Sequence, residues 1–239
     1  IKATSAQQID SGKRSVSESI TTPGPIGTEI VKSNVYYEGN MEEVKVNGEP
    51  EGFGGYGTGI GQVNHSYQDV VHSGTYSGYL YSKGTVQFSN SHYSSRYLQS
   101  IPERANLSQI ITLDLWYNAK ENPHFAQGAE EFIRFRVSTS LGNRYIYYYL
   151  SRVSGLPSNA STSGYYDVRG SRNTWINLNR NLTRDFEQLF PAVPLISSYV
   201  QYIYFFATSI VNPTGPTILL YDDVVITNDT GFNYLSNNG

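Results

Sequence analysis

Ile218-Leu-Leu-Tyr-Asp-Asp-Val-Val-Ile-Thr227 decides how this chain reads. Apolar residues flank two adjacent carboxylates, Asp222 and Asp223, as in a largely buried strand interrupted by charge. Successive side chains of a strand point to opposite faces, so the two carboxylates are expected to part company. They cannot then flank one glycosidic bond as an acid–base pair. Far upstream, Val35-Tyr-Tyr-Glu-Gly-Asn40 is the expected neighbour, the first and last strands closing one β-sandwich. Calcium takes oxygen ligands. Glu38, Asn40, the Ser73 and Gly74 carbonyls and one of Asp222 or Asp223 would supply them at that closure.

Period-2 runs fill the chain between these pieces. Residues 132–138 and 144–151 read as a hairpin turned by Leu141-Gly-Asn143. Ile133, Phe135 and Val137 fall on one face, Arg134 and Arg136 on the other. Ile146, Tyr148 and Leu150 oppose Tyr145, Tyr147 and Tyr149 in the second strand. One face should therefore carry a tyrosine ladder beside two arginines, supported by cation–π and cross-strand aromatic contacts of ~0.5–1 kcal/mol each. In residues 109–118, Ile111, Leu113 and Leu115 alternate with Thr112, Asp114 and Trp116. Further strands are expected at 29–37, 70–81, 85–88, 95–101, 165–169 and 175–178, with a strongly apolar central one at 199–209. Residues 183–190 read as the helix, Thr183 its N-cap and Pro191 its stop. The glycine-rich Gly52-Phe-Gly-Gly-Tyr-Gly-Thr-Gly-Ile-Gly61 reads as a surface loop, because no phosphate-loop lysine or helix follows. Short strands separated by turns indicate a two-sheet sandwich. No internal repeat or linker divides residues 30–239.

Charged residues make up 15% of the 239, and the net charge is -3. No basic field is available to hold nucleic acid. The chain has 21 tyrosines and no cysteine, which excludes disulfides and thiol chemistry. No apolar run approaches the ~18 residues of a membrane span. His65, His72, His92 and His124 stand among polar residues without metal-motif spacing and read as surface histidines. There is no GxSxG nucleophile motif, and the chain reads as non-enzymatic.

The start at Ile1-Lys-Ala-Thr predicts a mature, exported chain. Sequons at Asn64, Asn106, Asn159, Asn181 and Asn228 agree with an extracellular glycoprotein. Residues 1–29 carry isolated apolar residues, Ile9, Val16 and Ile20 among them, and end at the Pro23-Gly-Pro25 break. That arm is expected to act as a detachable donor strand. Added to the sheet of a neighbouring copy, it would build a head-to-tail filament or tube.

Tyr36-Tyr-Glu38, Val71-His-Ser-Gly-Thr-Tyr-Ser-Gly-Tyr-Leu80, Trp175-Ile-Asn-Leu-Asn-Arg-Asn-Leu-Thr-Arg-Asp185 and Leu220-Tyr-Asp-Asp-Val-Val-Ile-Thr227 carry a family resemblance. Over residues 34–227 the chain resembles galactose-binding-like jelly-roll domains of the carbohydrate-binding-module type. The resemblance implies a structural calcium ion held by Glu38, Asn40, Gly74 and Asp223, with Asp222 as the alternative carboxylate. It also implies sugar contact on an aromatic sheet face, for which Tyr145, Tyr147 and Tyr149 beside Arg134 and Arg136 are the candidates. The fold expected is all-β: a two-sheet jelly-roll sandwich with one short helix and an extended N-terminal strand arm. Two functions remain open, a secreted self-assembling subunit whose partners are its own copies, and a calcium-stabilised carbohydrate-binding module.

Overall fold

The computed structural model describes residues 15–19, 31–35, 41, 42, 44, 46, 54–57, 63–67, 69–82, 88–94, 105–120, 130–152, 155–209 and 217–228. Its strands are β1 (Ser15–Ser19), β2 (Val31–Val35), β3 (Gly54–Gly57), β4 (Val63–Tyr67), β5 (Ser77–Ser82), β6 (Phe88–Ser94) and β7 (Ala105–Asn106). They continue with β8 (Ile111–Ala119), β9 (Glu130–Ser138), β10 (Arg144–Ser151), β11 (Ser163–Asp167), β12 (Ile176–Asn181), β13 (Tyr199–Ser209) and β14 (Thr217–Asn228). The helix α1 (Leu182–Leu189) follows β12 directly. Among the described residues no helix is long and apolar enough to cross a membrane.

Two sheets form the sandwich. One has five strands in the order β12-β8-β14-β5-β4; the other has seven, β11-β10-β9-β13-β6-β3 with β7 beside β13. Alternation decides which residues lie between them. Ile133, Phe135 and Val137 of β9, Ile146 and Tyr148 of β10, and Ile203 and Phe205 of β13 share one core with Leu113 and Leu115 of β8 and Leu219, Tyr221, Val224 and Ile226 of β14. The sheets meet ring to ring at Phe205 and Tyr221, whose planes lie 5° apart with centroids 3.8 Å apart. Each fully buried side chain of this size stabilises the fold by ~1.5–3 kcal/mol. Glu131 enters the same interior, where burial pushes its carboxyl well above the ordinary range.

The β9–β10 hairpin, the alternation of β8 and the two-sheet arrangement agree with the sequence reading. Other expectations are corrected. The flanking strands of β14 are β8 and β5, so β2 is not its neighbour; β2 pairs instead with β1, Ser15 opposite Val35. The arm strand thus has a hydrogen-bonded partner in its own chain. Gly54–Gly57 is a strand on β6 rather than a loop, because a segment whose only side chain is that of Tyr56 shows no period to read. The helix N-cap is Asn181, whose side chain accepts the Arg184 N–H at 2.9 Å. Thr183 is engaged elsewhere, donating to the Gln109 carbonyl at 2.6 Å and accepting from the Ile111 N–H at 2.9 Å. The strand expected at 95–101 lies outside the described residues, as do Ile9, Ile20 and Pro23-Gly-Pro25.

Gly78 makes the Phe205–Tyr221 contact possible. A Cβ there would lie 2.3 Å from Tyr221 Cζ, whereas one at Gly155 would meet nothing within 4 Å. Gly78→Ala is expected to lower unfolding free energy by ~1–3 kcal/mol through overpacking. Gly155→Ala should leave it unchanged, both read from urea denaturation midpoints at constant slope.

Candidate functional site

Alternation that sends Ile133, Phe135 and Val137 into the core sends Phe132, Arg134 and Arg136 to the opposite side of β9. Each stands between residues of the two neighbouring strands. Arg136 lies opposite Tyr145 and Tyr202, Arg134 opposite Tyr147 and Tyr204, and Phe132 opposite Tyr149 and Phe206. Tyr165 of β11 extends the middle row beside Tyr147. The rings touch along and across the rows: Tyr147–Tyr165 at 5.0 Å, Phe132–Phe206 at 4.6 Å and Tyr202–Tyr204 at 5.5 Å. The Arg134 guanidinium lies 4.3 Å from the Tyr204 centroid and 4.7 Å from that of Phe206; that of Arg136 lies 5.3 Å from Tyr202. All are half-buried except Tyr149, which is 5% exposed. Burial, reinforced by Glu130, pushes the Tyr149 hydroxyl to about 12, and burial raises that of Tyr204, so both stay neutral donors.

Of this face, sequence reasoning identified Tyr145, Tyr147, Tyr149, Arg134 and Arg136, and the structure brings them together. It missed Phe132, Tyr165, Tyr202, Tyr204 and Phe206. β13 is aromatic on both sides, which hides its period, and a register shift between Val200 and Tyr202 changes its phase. The alternating aromatics in Tyr202-Ile-Tyr-Phe-Phe206 were the available signal.

The five-stranded sheet carries a second cluster. Asp223 has φ +48°, and the β14–β8 register breaks between Asp222 and Val225. That bulge undoes the opposite-face expectation, and both carboxylates turn to residues 72 and 73. Buried Asp222 accepts the His72 and Ser73 N–H groups on Oδ2 at 3.1 and 3.2 Å, and the Asp223 N–H on Oδ1 at 2.8 Å. Asp223 Oδ2 lies 2.8 Å from His72 Nδ1, and its Oδ1 accepts the Ser73 hydroxyl at 2.9 Å. His72 stacks on Trp116 at 3.8 Å and meets Trp175 edge-on at 5.7 Å, so it is a packed residue and not a loose surface histidine. Both tryptophans of the chain are committed here.

Glu42 closes the next turn. Its Oε1 accepts the Thr75 and Tyr76 N–H groups at 2.7 and 3.1 Å. Gly74, at φ +63°, lies so close that a Cβ would fall 2.1 Å from that oxygen. The resemblance places calcium at Gly74, Asp222 and Asp223. There the carboxylate oxygens are aimed at N–H and O–H donors, and among the described residues no group of three His, Cys, Asp or Glu is placed to hold a metal ion. Glu38 and Asn40, the other residues of that set, lie outside the described residues. Burial, then the neighbouring Asp223 charge, push the Asp222 carboxyl up to about 8 against its three N–H donors.

A cleft of about 240 Å³ lies by α1, lined by Asn179, Arg180, Asn181, Arg184, Asp185 and Gln188. Two of its charges, Arg180 and Asp185, satisfy each other. Arg180 donates to Asp185 through Nε and Nη2 at 2.9 and 2.7 Å, and the Tyr148 hydroxyl donates to the same carboxylate at 2.6 Å. The bidentate pair ties the helix to β12, and the Tyr148 hydroxyl ties it to β10. Several sequon amides are likewise in use. Asn106 Nδ2 donates to the Ile196 carbonyl and Asn228 Nδ2 to Gln109 Oε1, while the exposed Asn159 is held only through Oδ1, by the Tyr165 N–H. Asn181 is spent through Oδ1 as the α1 cap, and the Asn64 side chain lies outside the description.

No family model and no curated protein matches the chain. Solved structures it is similar to include carbohydrate-binding modules with β-sandwich folds and some glycoside hydrolases. One, from work on the promiscuous specificity of carbohydrate-binding modules of the β-sandwich superfamily, has 11% identity and a TM-score of 0.47, covering 80% of this chain and 62% of that one. The chain thus spans under two thirds of that relative's length. A xylan-binding domain from Paenibacillus barcinonensis has 11% identity and a TM-score of 0.43, covering 80% and 98%. A native family 12 xyloglucanase from Bacillus licheniformis has 10% identity and a TM-score of 0.39, covering 73% and 100%.

The raised Asp222 carboxyl gives a pH signature. Its protonated form favours the fold, so this contribution is full below the ordinary aspartate range and is lost as pH rises through about 8. In chelator-containing buffer the melting temperature is expected to fall across that window. Asp222→Asn should remove most of the fall, as followed by circular dichroism melts.

Proposed function

We propose that this chain is a glycan-binding module, acting without catalysis, whose contact surface is the tyrosine–arginine face of the seven-stranded sheet. The observation that carries this reading is the set of rows across β10, β9 and β13, in which half-buried aromatic rings lie on the side of the sheet away from the core. Such rings offer a flat apolar surface with hydroxyl donors at their edges, which suits the C–H face and hydroxyl rim of a sugar. An extracellular place of action, where polysaccharides are met, goes with it.

Strand donation through residues 1–29 ranks below this. Its motive was an unpartnered arm, and β1 pairs with β2 of the same chain. Calcium is not required for the reading, because the proposed contact lies on the other sheet from Asp222 and Asp223.

Affinity electrophoresis of the whole chain through gels holding different polysaccharides tests the reading. Retardation by at least one of them is expected. Tyr147→Ala and Tyr204→Ala should each weaken it by about tenfold or more, equivalent to ~1.4 kcal/mol, with melting temperatures little changed. Retardation by none, or retardation indifferent to both substitutions, would overturn the proposal. Electron microscopy of the same protein should show dispersed particles; filaments lost on deleting residues 1–22 would restore the assembly reading.

A further inference from the structure

Arg134 and Arg136 stand at the centre of the aromatic rows, and among the described residues neither has a carboxylate partner. The carboxylates nearby are taken. Glu130 pairs with Arg152 Nε at 2.9 Å, and Asp167, in register with Tyr149, bonds Arg169 through Nε at 2.7 Å. The Nε atoms of Arg134 and Arg136 are buried without any hydrogen-bond acceptor. Buried polar groups in native proteins are almost always satisfied, and a bound ligand is one thing that satisfies them. A chain of net charge -3 thus keeps two cations without a carboxylate partner on the most aromatic surface among the described residues.

Resting on the glycan reading, we infer that the ligand of this face is an acidic polysaccharide built of uronic acids. Its sugar rings lie on the tyrosines and its carboxylates meet Arg134 and Arg136. A neutral chain laid on this face would strip water from two guanidinium groups and return no charge, a penalty that selects against it. A uronate returns that charge in the planar, two-oxygen form that matches a guanidinium fork. The two arginines are alternate residues of one strand, about 6.6 Å apart along it, so neighbouring anionic groups of one polymer can engage both. The aromatic rings under the guanidinium groups hold them in place, so little ordering is left to be done on binding.

The test is affinity electrophoresis of the whole chain on polygalacturonate, on neutral xylan and on dextran sulfate, each at low and high salt. Expected is retardation greatest on polygalacturonate and weakened by salt. The double substitution Arg134→Ala/Arg136→Ala should reduce it by about tenfold or more. Arg134→Lys, which keeps the charge and loses the fork, should reduce it several-fold, and it serves as the probe should the double variant fail to fold. Equal retardation on neutral xylan, unaffected by the arginine substitutions and abolished by Tyr147→Ala, would overturn this inference and leave the glycan reading standing. Preference for dextran sulfate would overturn the choice of carboxylate. Retardation on none of the three would overturn the inference, and the glycan reading falls with it only if no other polysaccharide retards the chain either.

Discussion

The rest of the structure depends on one contact between the sheets, the face-to-face packing of Phe205 on Tyr221. It fixes which residues of β13 and β14 point inward, and both strands must bend the simple alternation to satisfy it. On β14 the core takes Leu219 and Tyr221, then Val224 and Ile226, so the phase slips by one residue. The slip falls on Asp222 and Asp223 and is absorbed by the bulge and the positive φ of Asp223. On β13 the core takes Val200, then Ile203 and Phe205, with the register shift between Val200 and Tyr202. One bulge turns two carboxylates into one loop; the other delivers Tyr202, Tyr204 and Phe206 to the outer face beside Arg134 and Arg136.

These phase slips mark the boundary of what could be read from residues alone. β8, β9 and β10 are regular, so their alternation was legible, and with it the two sheets and half of the aromatic face. Tyr221-Asp-Asp-Val-Val-Ile226 was read as an unbroken period of two, and the carboxylates were placed on opposite faces. The apolar positions of that stretch are themselves out of phase across Asp222 and Asp223, which was a local clue to a bulge. Strand neighbours were not legible, because pairing β14 with β8 and β5 spans more than a hundred residues and depends on the whole sheet order. The helix cap failed for a local reason. Asn181 and Thr183 are both good caps, and Thr183 was already bound to the backbone of residues 109 and 111.

The aromatic face and the acidic cluster solve opposite electrostatic problems. Asp222 is buried, and three N–H groups aimed at its carboxylate compensate only in part, so its acidity is weakened. Arg134 and Arg136 are only half-buried, and ring faces take the place of part of their hydration at ~0.5–2 kcal/mol each. Arginine serves here better than lysine would, because its weakly hydrated plane lies flat on a ring while the edge of the fork stays available. The tryptophans are occupied by His72 on the other sheet, which leaves tyrosine and phenylalanine to build the platform.

The buried and half-buried charges divide into those that pair with a charge or a hydrogen-bonding group of the fold and those that rest mainly on rings. Asp185 is met by the Arg180 fork and the Tyr148 hydroxyl, Asp223 by His72 and Ser73, and Glu130 by Arg152. Each of these closes on itself and holds elements of the fold together. The pair on β9 is different: its positive charge meets ring faces and, at Arg136, the Tyr204 hydroxyl, with no carboxylate partner among the described residues. Ring contact stabilises a cation without neutralising it, so the field of Arg134 and Arg136 persists beyond the rings. Structural demand alone would be met there by uncharged residues of similar length. The charge kept on the central strand of this aromatic face is the feature that the proposed recognition of an anion would use.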